Sequence, residues 1–422
     1  MTEYARRIVD DELDELLPSL AAISLDGPKG VGKTATGSRR AATVLSLDQR
    51  ETADRLTADP GLLSRAPAPI LLDEWQRLPE SWDLVRREVD RDRTGGRFLL
   101  AGSAAPVHAP THSGAGRIVS MRMRPLSVAE RASDPATVSL ASLFDGDAVI
   151  DGSTEWSLRD YIREIVASGF PGIRDLPGRA RRLALDGYLT RIVERDMVEQ
   201  GYRVRAPASI RAWLRAFAMA TSSTAKYTTI LDAATVGDAD KPTKPTTIAY
   251  RAVLSQLWLL DPVEAWHPFD VDLGRISKAP KHHLADPALA ARLMELDEDS
   301  LLGVREHAMI GPQHGAALGR LFEGLVTLSM QTYAQAAEAR LSHFRDQAGT
   351  REVDLIAERR GRVVAIEVKL SASVEAKDVK HLTWLREHLG TRLADAVVVT
   401  TGPAAYRRPD GIAVVPLALL GP

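Results

Sequence analysis

The sequence contains no cysteine. The protein therefore has neither disulfides nor thiolate metal sites, and catalysis by a thiol is excluded. Long apolar runs are missing as well, because no uninterrupted stretch approaches the roughly 18 residues that a membrane-spanning helix needs. Residues 1–11 are charged throughout, which is not typical of a secretory signal. We therefore expect neither secretion nor membrane insertion, and the cytoplasm is the expected compartment.

A large excess of charge of either sign is also absent. The formal net charge of -2 gives no overall attraction to nucleic acid or acidic lipid, although a local basic face stays open. Hydrophobic residues make up 45% and charged residues 26%, which is typical of a globular protein. Because 422 residues are too many for one compact core, we expect two or three domains.

The sequence does contain a phosphate-binding motif. Gly27, Gly32, Lys33 and Thr34 fit the pattern G-x-x-x-x-G-K-[ST], and a strand-like run precedes them. The glycines let the backbone turn its N–H groups inward at a helix N-terminus, where they bind anions. We expect Lys33 to reach the β- and γ-phosphates of a nucleotide and the Thr34 hydroxyl to ligate Mg²⁺; an ordinary glycine-rich turn is the alternative. The predicted nucleotide-binding residues are Gly27, Pro28, Lys29, Gly30, Val31, Gly32, Lys33 and Thr34.

The other half of such a site requires an acid that holds Mg²⁺ from the side opposite Thr34. An apolar run typical of a buried strand ends in Asp73 and Glu74. We expect Asp73, at the end of a neighbouring strand, to bind the Mg²⁺ shell, mostly through water. Glu74 is then placed to orient and polarise the water that attacks the γ-phosphorus. A buried strand that ends in two solvated acids is the alternative.

Two polar side chains accompany the later strands. Ser103 ends the fourth predicted strand, and we expect it to bind the γ-phosphate or the attacking water, as a further nucleotide-binding residue. Arg117 begins the fifth, and we expect it to reach a γ-phosphate in the same chain or a neighbouring one and to stabilise transition-state charge. An ordinary surface arginine is the alternative for Arg117. The predicted catalytic residues are thus Lys33, Glu74 and Arg117.

The arrangement of the patterns predicts an α/β protein. Strands that alternate with helices in the first part predict a parallel sheet of the P-loop NTPase kind. A helical middle follows, in which a short helix, a turn and a longer helix have the order of a winged helix-turn-helix. The chain returns to mixed α/β patterns near its end. The predicted domains are an ATPase domain at 1–135, a helical lid or linker at 136–205, a winged-helix-like domain at 206–268 and a nuclease-like domain at 269–422.

Several of these features together resemble a known family. The motif at 27–34, Asp73-Glu74, the strand that ends in Ser103 and the segment from Gly116-Arg117 to Pro125-Leu126-Ser127 are similar to prokaryotic AAA-type ATPases of the archaeal-type clade. Residues 188–196 and 366–369 extend the resemblance to nearly the whole chain. In that family an AAA core is coupled to a C-terminal domain of unknown function. The resemblance implies an ATPase with a winged-helix module and a nuclease-like module.

The C-terminal part carries acids in a pattern that suits a metal. Asp354 lies on one predicted strand and the pair Glu367-x-Lys369 on the next, so that a tight turn brings the two carboxylates side by side. Two carboxylates can hold Mg²⁺ while a lysine activates water, as metal-assisted phosphodiester hydrolysis requires. The pattern resembles the D/ExK motif of restriction-endonuclease-like nucleases, with Glu323 on the preceding helix as an extra ligand. An active nuclease and a retained, inert fold both stay open.

Three functions follow as hypotheses. The first is a Mg²⁺-dependent ATPase that uses ATP binding and hydrolysis as a conformational switch, with DNA or a protein as its partner. The second is a metal-dependent nuclease that nucleotide regulates, and the third is a non-catalytic adaptor that ATP controls. ATP and Mg²⁺ are the expected cofactors in each, and homo-oligomers of AAA type are compatible with the sequence. The histidines are not expected to bind metal: prolines keep His108 and His112 off a helix, and the pair His282-His283 is expected at the surface.

Overall fold

The computed structural model describes residues 4–104, 114–146, 148–234, 242–268, 279–303 and 312–422. The first part of the chain forms a layer of parallel strands between helices. Its helices are α1 (Ile8–Leu16), α2 (Lys33–Ser38), α3 (Arg50–Ala58), α4 (Leu62–Arg65), α5 (Glu80–Arg91) and α6 (Val128–Arg131). Its strands are β1 (Ala22–Asp26), β2 (Thr43–Ser46), β3 (Ile70–Asp73), β4 (Phe98–Gly102) and β5 (Val119–Arg122).

The five strands of this sheet are all parallel and have the order β2-β3-β4-β1-β5. The central strands are apolar and buried on both faces, as expected for strands that helices cover on each side. Strand β4 is inserted between β1 and β3, which corrects the expectation that the strand of Asp73 lies next to that of the phosphate-binding motif. The carboxyl ends of β1, β3 and β4 still lie at one edge of the sheet, and ligands bind at such edges.

The middle of the chain is mostly helical. After strand β6 (Val138–Ser139), its helices are α7 (Leu140–Asp145), α8 (Leu158–Ala167), α9 (Pro171–Arg174), α10 (Gly178–Arg191), α11 (Met197–Glu199), α12 (Pro207–Met219), α13 (Tyr227–Ala233), α14 (Lys244–Gln256), α15 (Pro287–Leu293) and α16 (Glu298–Leu302). A π-helical turn (Ile192–Asp196) joins α10 to α11. After α14, Leu260 pairs with Leu284 and Val263 with Lys281 in short antiparallel bridges. Helices followed by paired extended segments are compatible with the predicted winged helix, which stays a prediction.

The last part of the chain builds a second, mixed sheet. Its elements are helices α17 (Pro312–Ala336) and α18 (Lys380–Leu389) and strands β7 (Arg340–Arg345), β8 (Glu352–Arg359), β9 (Arg362–Val368), β10 (Leu393–Thr400), β11 (Tyr406–Arg407), β12 (Ala413–Pro416) and β13 (Leu420–Gly421). Six of these strands form one sheet with the order β11-β12-β10-β9-β8-β7. On one face, Val364 and Ile366 pack in the hydrophobic cluster that contains α17. On the other face, Val363 and Ala365 pack with α18.

One hydrophobic cluster connects all parts of the chain, from Val9 in α1 to Leu420 in β13. Helix α17 joins the two sheets, because the Ser329 hydroxyl accepts a hydrogen bond from the N–H of Val128 and the Tyr333 hydroxyl accepts one from the N–H of Ala129. Strand β13 pairs with β6, so the end of the chain also returns to the middle. The predicted domain boundaries stay predictions, and this core crosses each of them. Among the described residues, no helix is long and apolar enough to cross a membrane.

Candidate nucleotide site

The loop between β1 and α2 has the geometry of an anion-binding cradle. Gly30 and Gly32 have φ angles of 83° and 103°, in the left-handed region that favours glycine. Gly27 lies so close to β5 that a Cβ atom there would be 2.1 Å from the carbonyl oxygen of Met123. Each of the three glycines of the motif is thus required by the local backbone. The loop opens into α2, whose first N–H groups are available to a ligand.

Lys33 lies buried inside this loop. Its Nζ donates hydrogen bonds to the carbonyl oxygens of Gly27 and Pro28 at 2.8 and 2.9 Å. Burial lowers the pKa of Lys33 to about 8, although the nearby Glu74 carboxylate opposes this shift. A desolvated ammonium gains much from a negatively charged partner, so the loop holds Lys33 where a phosphate would stabilise it.

Thr34 and Asp73 meet across the sheet edge, as the sequence predicts for the two sides of a Mg²⁺ site. The Thr34 hydroxyl donates to both Asp73 oxygens, at 2.9 and 3.1 Å. Burial raises the pKa of Asp73, and the hydrogen bond from Thr34 partly offsets that shift. A hydroxyl beside a carboxylate supplies the oxygen donors that Mg²⁺ prefers, and the exposed Thr34 leaves the position open to solvent. The residues therefore fit the ion.

Glu74 and Ser103 also come together at this edge. Glu74 adopts a left-handed conformation with φ 51°, which turns its side chain away from the line of β3. Its Oε2 accepts hydrogen bonds from the Ser103 hydroxyl at 3.0 Å and from the Gln76 amide. A cavity of about 50 Å³, large enough for a water molecule, is lined by Gln76 and Ser103 together with Lys29 of the loop. Sequence reasoning missed Gln76, since a glutamine in a turn gives no recognisable signal.

Arg117 lies in the turn before β5, near the amino end of that strand. Strand β5 runs parallel to β1 with Arg122 opposite Asp26, so the residues before Val119 lie at the amino end. Arg117 lies in a turn before that strand, where its N–H donates to the carbonyl oxygen of Gly114. Its Nε contacts Asp90 at 2.8 Å on the surface. At the amino end of β5, Arg117 lies away from the loop; its predicted role at a γ-phosphate, in the same chain or in a neighbouring one, stays a prediction.

Arg122 occupies the position beside the loop that Arg117 does not reach. Its guanidinium lies over the Trp258 ring at 3.8 Å from the centroid, and its Nη2 is 4.0 Å from Asp261. The Nη1 atom is buried and has no hydrogen-bond partner among the residues that the structure describes. Burial lowers the pKa of Arg122 to about 10. In the sequence, the only indication of this role was a charged residue at the end of a predicted strand.

The loop is also connected to the helical middle. Lys29 Nζ lies 2.6 Å from Asp196 Oδ1, and Asp196 ends the π-helical turn. Single π-helical turns occur often at functional sites. On the other side of the loop, a cavity of about 360 Å³ lies between the N-terminal segment, the start of α2 and α9. Its lining includes Tyr4, Val31, Gly32, Thr36, Met123 and Pro171.

The predicted C-terminal metal site has a different occupant. The structure brings Asp354 and Glu323 together, but the ammonium of Lys281 lies between them, at 2.8 Å from Asp354 Oδ1 and 2.9 Å from Glu323 Oε1. The side chain of Glu367 pairs with Lys369 at 2.8 Å instead. The prediction that Asp354, Glu323 and Glu367 hold a metal ion is thus not supported by the positions of these side chains. The pair Glu367 and Lys369 does lie together as the sequence predicts.

The position of the pair His282-His283 differs from the expectation that it lies at the surface. His282 and His283 are both buried rather than exposed, because the segment from Lys281 to Leu284 pairs with residues 260–263. Burial lowers the pKa of His283 to about 3, so this ring is neutral. Within the described ranges, no three His, Cys, Asp or Glu side chains are arranged to hold a metal ion. His108 and His112 lie outside the described residues.

Comparison with known proteins supports the assignment of the first domain. Residues 20–132 match the family profile of an AAA domain, whereas residues 158–300 and 318–420 match two domains of unknown function, DUF8612 and DUF4143. Uncharacterized proteins of Mycobacterium tuberculosis and Mycobacterium bovis are 28% identical over 378 residues, which cover 87% of this chain and 74% of each relative.

Two solved structures are similar only at a distance. The Walker-type ATPase PABY2304 of Pyrococcus abyssi is 16% identical with a TM-score of 0.39, over 67% of this chain and 94% of its own. Protein VC1899 from Vibrio cholerae is 11% identical with a TM-score of 0.21, over 97% and 91% of the two chains. Both scores are too low to carry an argument. The match of residues 20–132 to the AAA profile and the geometry of the loop agree, and both support a P-loop ATPase domain in this part of the chain.

Proposed function

We propose that this protein is a Mg²⁺-dependent ATPase in which ATP binding and hydrolysis act as a conformational switch on DNA or on a protein partner. The observation that carries the proposal is the convergence of Lys33, Thr34, Asp73 and Glu74 at one edge of the parallel sheet. Each supplies one of the functions that phosphoryl transfer requires: a cation for the phosphates, ligands for Mg²⁺ and a base near the attacking water.

The cavities indicate how ATP is oriented. The phosphates bind in the loop, where the backbone N–H groups and Lys33 neutralise their charge. The base and ribose enter the 360 Å³ cavity beside the start of α2, whose lining combines apolar side chains such as Val31 and Met123 with charged ones such as Glu130. The γ-phosphate then points toward the small cavity lined by Ser103 and Gln76. Ser103 contacts the γ-phosphate or the attacking water, and Glu74 accepts a proton from that water. When bound, Mg²⁺ supplies positive charge for the phosphate oxygens.

Two contacts support the switch. Lys29 ties the loop to Asp196 in the π-helical turn, and Arg122 ties the same edge to Trp258 and Asp261 after α14. Both contacts lead from the nucleotide site to the helical middle of the chain. Because Lys29 and Arg122 are cations, the negative charge of a bound phosphate changes their interactions with the helical middle. The partner, whether DNA or protein, then binds a surface whose shape depends on the nucleotide. Assembly into homo-oligomers, with Arg117 near a neighbouring site, belongs to the same proposal.

The replacement of Lys33 by alanine tests the nucleotide site. We expect the affinity for ATP to fall on the order of 100-fold, because truncation of one partner of a buried charge pair costs about 2–5 kcal/mol. Isothermal titration with a non-hydrolysable ATP analogue and Mg²⁺ measures the change, and circular dichroism checks the fold. The matched control is Lys226→Ala, since Lys226 is exposed and lies in the helical middle. Equal affinities for the wild type and Lys33→Ala would contradict the proposed site.

Of the other two hypotheses, the adaptor shares the same nucleotide site and differs only in rate. Tight ATP binding with very slow turnover would favour it. The nuclease needs a metal centre at Asp354 and Glu367, and Lys281 lies beside the first of these carboxylates. We therefore place the chemistry of this chain in the P-loop domain.

A further inference from the structure

We propose that the C-terminal sheet contains a carboxylate cage whose resident cation is the ammonium of Lys281, in the place where a nuclease-like centre would hold a divalent metal ion. The cage is formed by Glu323 of α17 and by Glu352 and Asp354 of β8. It lies far along the chain from the P-loop, and the inference is independent of the proposed ATPase.

Acidic side chains surround Lys281. Its Nζ donates hydrogen bonds to Asp354 at 2.8 Å and to Glu323 at 2.9 Å, and it forms an ion pair with Glu352 at 3.3 Å. Its side chain is only 1% exposed, so water does not replace these partners. A buried ammonium with acidic neighbours of this kind is stable in its charged form.

The electrostatics agree with a permanent positive charge. Burial disfavours the ammonium, but Asp354, Glu323 and Glu352 together raise the pKa of Lys281 well above its ordinary value. Burial likewise opposes ionisation of Asp354, and Lys281 nevertheless lowers its pKa. The second Asp354 oxygen accepts the N–H of Val368 at 2.9 Å. Each Asp354 oxygen therefore already accepts a hydrogen bond from the protein itself.

A divalent ion and Lys281 exclude one another. Mg²⁺ takes carboxylate oxygens at about 2.1 Å, and Nζ already lies within hydrogen-bond distance of the Asp354 and Glu323 oxygens that it would use. Two like charges at such a separation repel strongly in a buried site. The metal enters only if the lysine leaves.

Glu367 lies near Asp354 but outside the cage, and it is paired with a lysine of its own. It is 7% exposed, and its Oε1 accepts a hydrogen bond from Lys369 Nζ at 2.8 Å. Burial raises the pKa of Glu367 to about 8, and the charge of Asp354 raises it further while Lys369 opposes the shift. Asp354 and Glu367 are thus each paired with a lysine of this chain.

The position of Lys281 in the sequence explains why the pattern of acids predicts a metal site. Lys281 belongs to the segment that pairs with Val263, in the part of the chain before α15, and it is 73 residues away from Asp354. The spacing of Asp354, Glu367 and Lys369 predicts a cluster on two strands but gives no information about a cation that arrives from elsewhere.

Manganese binding tests the proposal. We use Thr34→Ala as the background, because it removes an exposed ligand of the nucleotide site and keeps the C-terminal sheet intact. In this variant, without nucleotide, we expect the electron paramagnetic resonance signal of free Mn²⁺ to be unchanged by the protein. Tight Mn²⁺ binding that Asp354→Asn removes would overturn the proposal.

The second arm removes the lysine. In Thr34→Ala/Lys281→Ala the carboxylates lack their cation, and we expect one tight Mn²⁺ site and a rise of the thermal midpoint by at least about 3 °C when Mn²⁺ is added. The matched control is Thr34→Ala/Lys369→Ala, which keeps Lys281 and should gain no such site. A folded Lys281→Ala variant with no response to Mn²⁺ would contradict the proposal. If that variant folds only with Mn²⁺, the result supports it, and if it does not fold at all the Thr34→Ala titration decides alone.

Discussion

Replacement of Glu74 by glutamine is expected to leave ATP binding intact and to lower the turnover number by roughly 10²–10⁴-fold, the range that general-base catalysis contributes. In the proposed site the loop and Lys33 hold the phosphates, and the hydrogen bonds of Lys33 go to Gly27 and Pro28 rather than to Glu74. Glutamine has nearly the same size, and its amide oxygen can still accept the hydrogen bond from Ser103. What it loses is the ability to take a proton from the attacking water. The two measurements are the affinity for a non-hydrolysable analogue and steady-state phosphate release.

The matched control for this variant is Glu80→Gln, an exposed glutamate at the start of α5, away from the loop. It should hydrolyse ATP at the wild-type rate. Unchanged hydrolysis by Glu74→Gln would remove Glu74 from the catalytic role, and loss of ATP binding would show that the residue serves the structure of the site instead.

Replacement of Phe322 by alanine is expected to lower the free energy of unfolding by about 3–5 kcal/mol, the usual effect of a large cavity in a core. Phe322 lies on α17, is completely buried and packs edge-on against Tyr161 of α8 at 5.5 Å between ring centroids. Tyr161 in turn accepts a hydrogen bond from the N–H of Ala418 near the end of the chain. The cavity would therefore open in the core that α17 shares with the helical middle and the last strands.

Urea unfolding followed by tryptophan fluorescence measures this loss. Because the core is continuous, we expect the ATP-binding activity to disappear in the same transition as the fluorescence change. Leu183→Ala is the control, since that leucine is largely exposed on α10 and should change stability by less than about 0.5 kcal/mol. A wild-type stability in Phe322→Ala, or nucleotide binding that survives after the rest has unfolded, would contradict a shared core.

Much of the arrangement of the candidate nucleotide site could be predicted from the sequence, because its residues lie in one loop motif and at the ends of parallel strands; its role in binding nucleotide stays a prediction. Lys33 and Thr34 follow directly from the loop pattern, and the structure places the Thr34 hydroxyl against Asp73. The contact between Ser103 and Glu74 could also be predicted, since parallel strands bring their carboxyl ends to one edge of the sheet. The order of the strands could not be predicted, because the alternation of strands and helices along the chain does not show that β4 is inserted between β1 and β3.

The other differences between the sequence-based predictions and the structure have one physical cause, which is contact between segments that are distant in the sequence. Arg117 is two residues before β5, and only the register of that strand shows that it lies at the amino edge. Lys281 reaches the acids of β8 from another part of the chain, and no local pattern of acids indicates it. Arg122 meets Trp258 and Asp261 in the same way. Patterns of residues predict elements and short motifs, whereas tertiary packing decides which charges meet.

The direct test of the proposed ATPase is phosphate release from ATP by the purified wild-type protein, first with Mg²⁺ and then with the metal removed by EDTA. We expect steady release with Mg²⁺ and a loss of nearly all of it with EDTA, because in the proposed site Thr34 and Asp73 act on the phosphates through the ion. Re-addition of Mg²⁺ should restore the rate. No release above the spontaneous rate in the presence of Mg²⁺, or release that EDTA does not change, would contradict it.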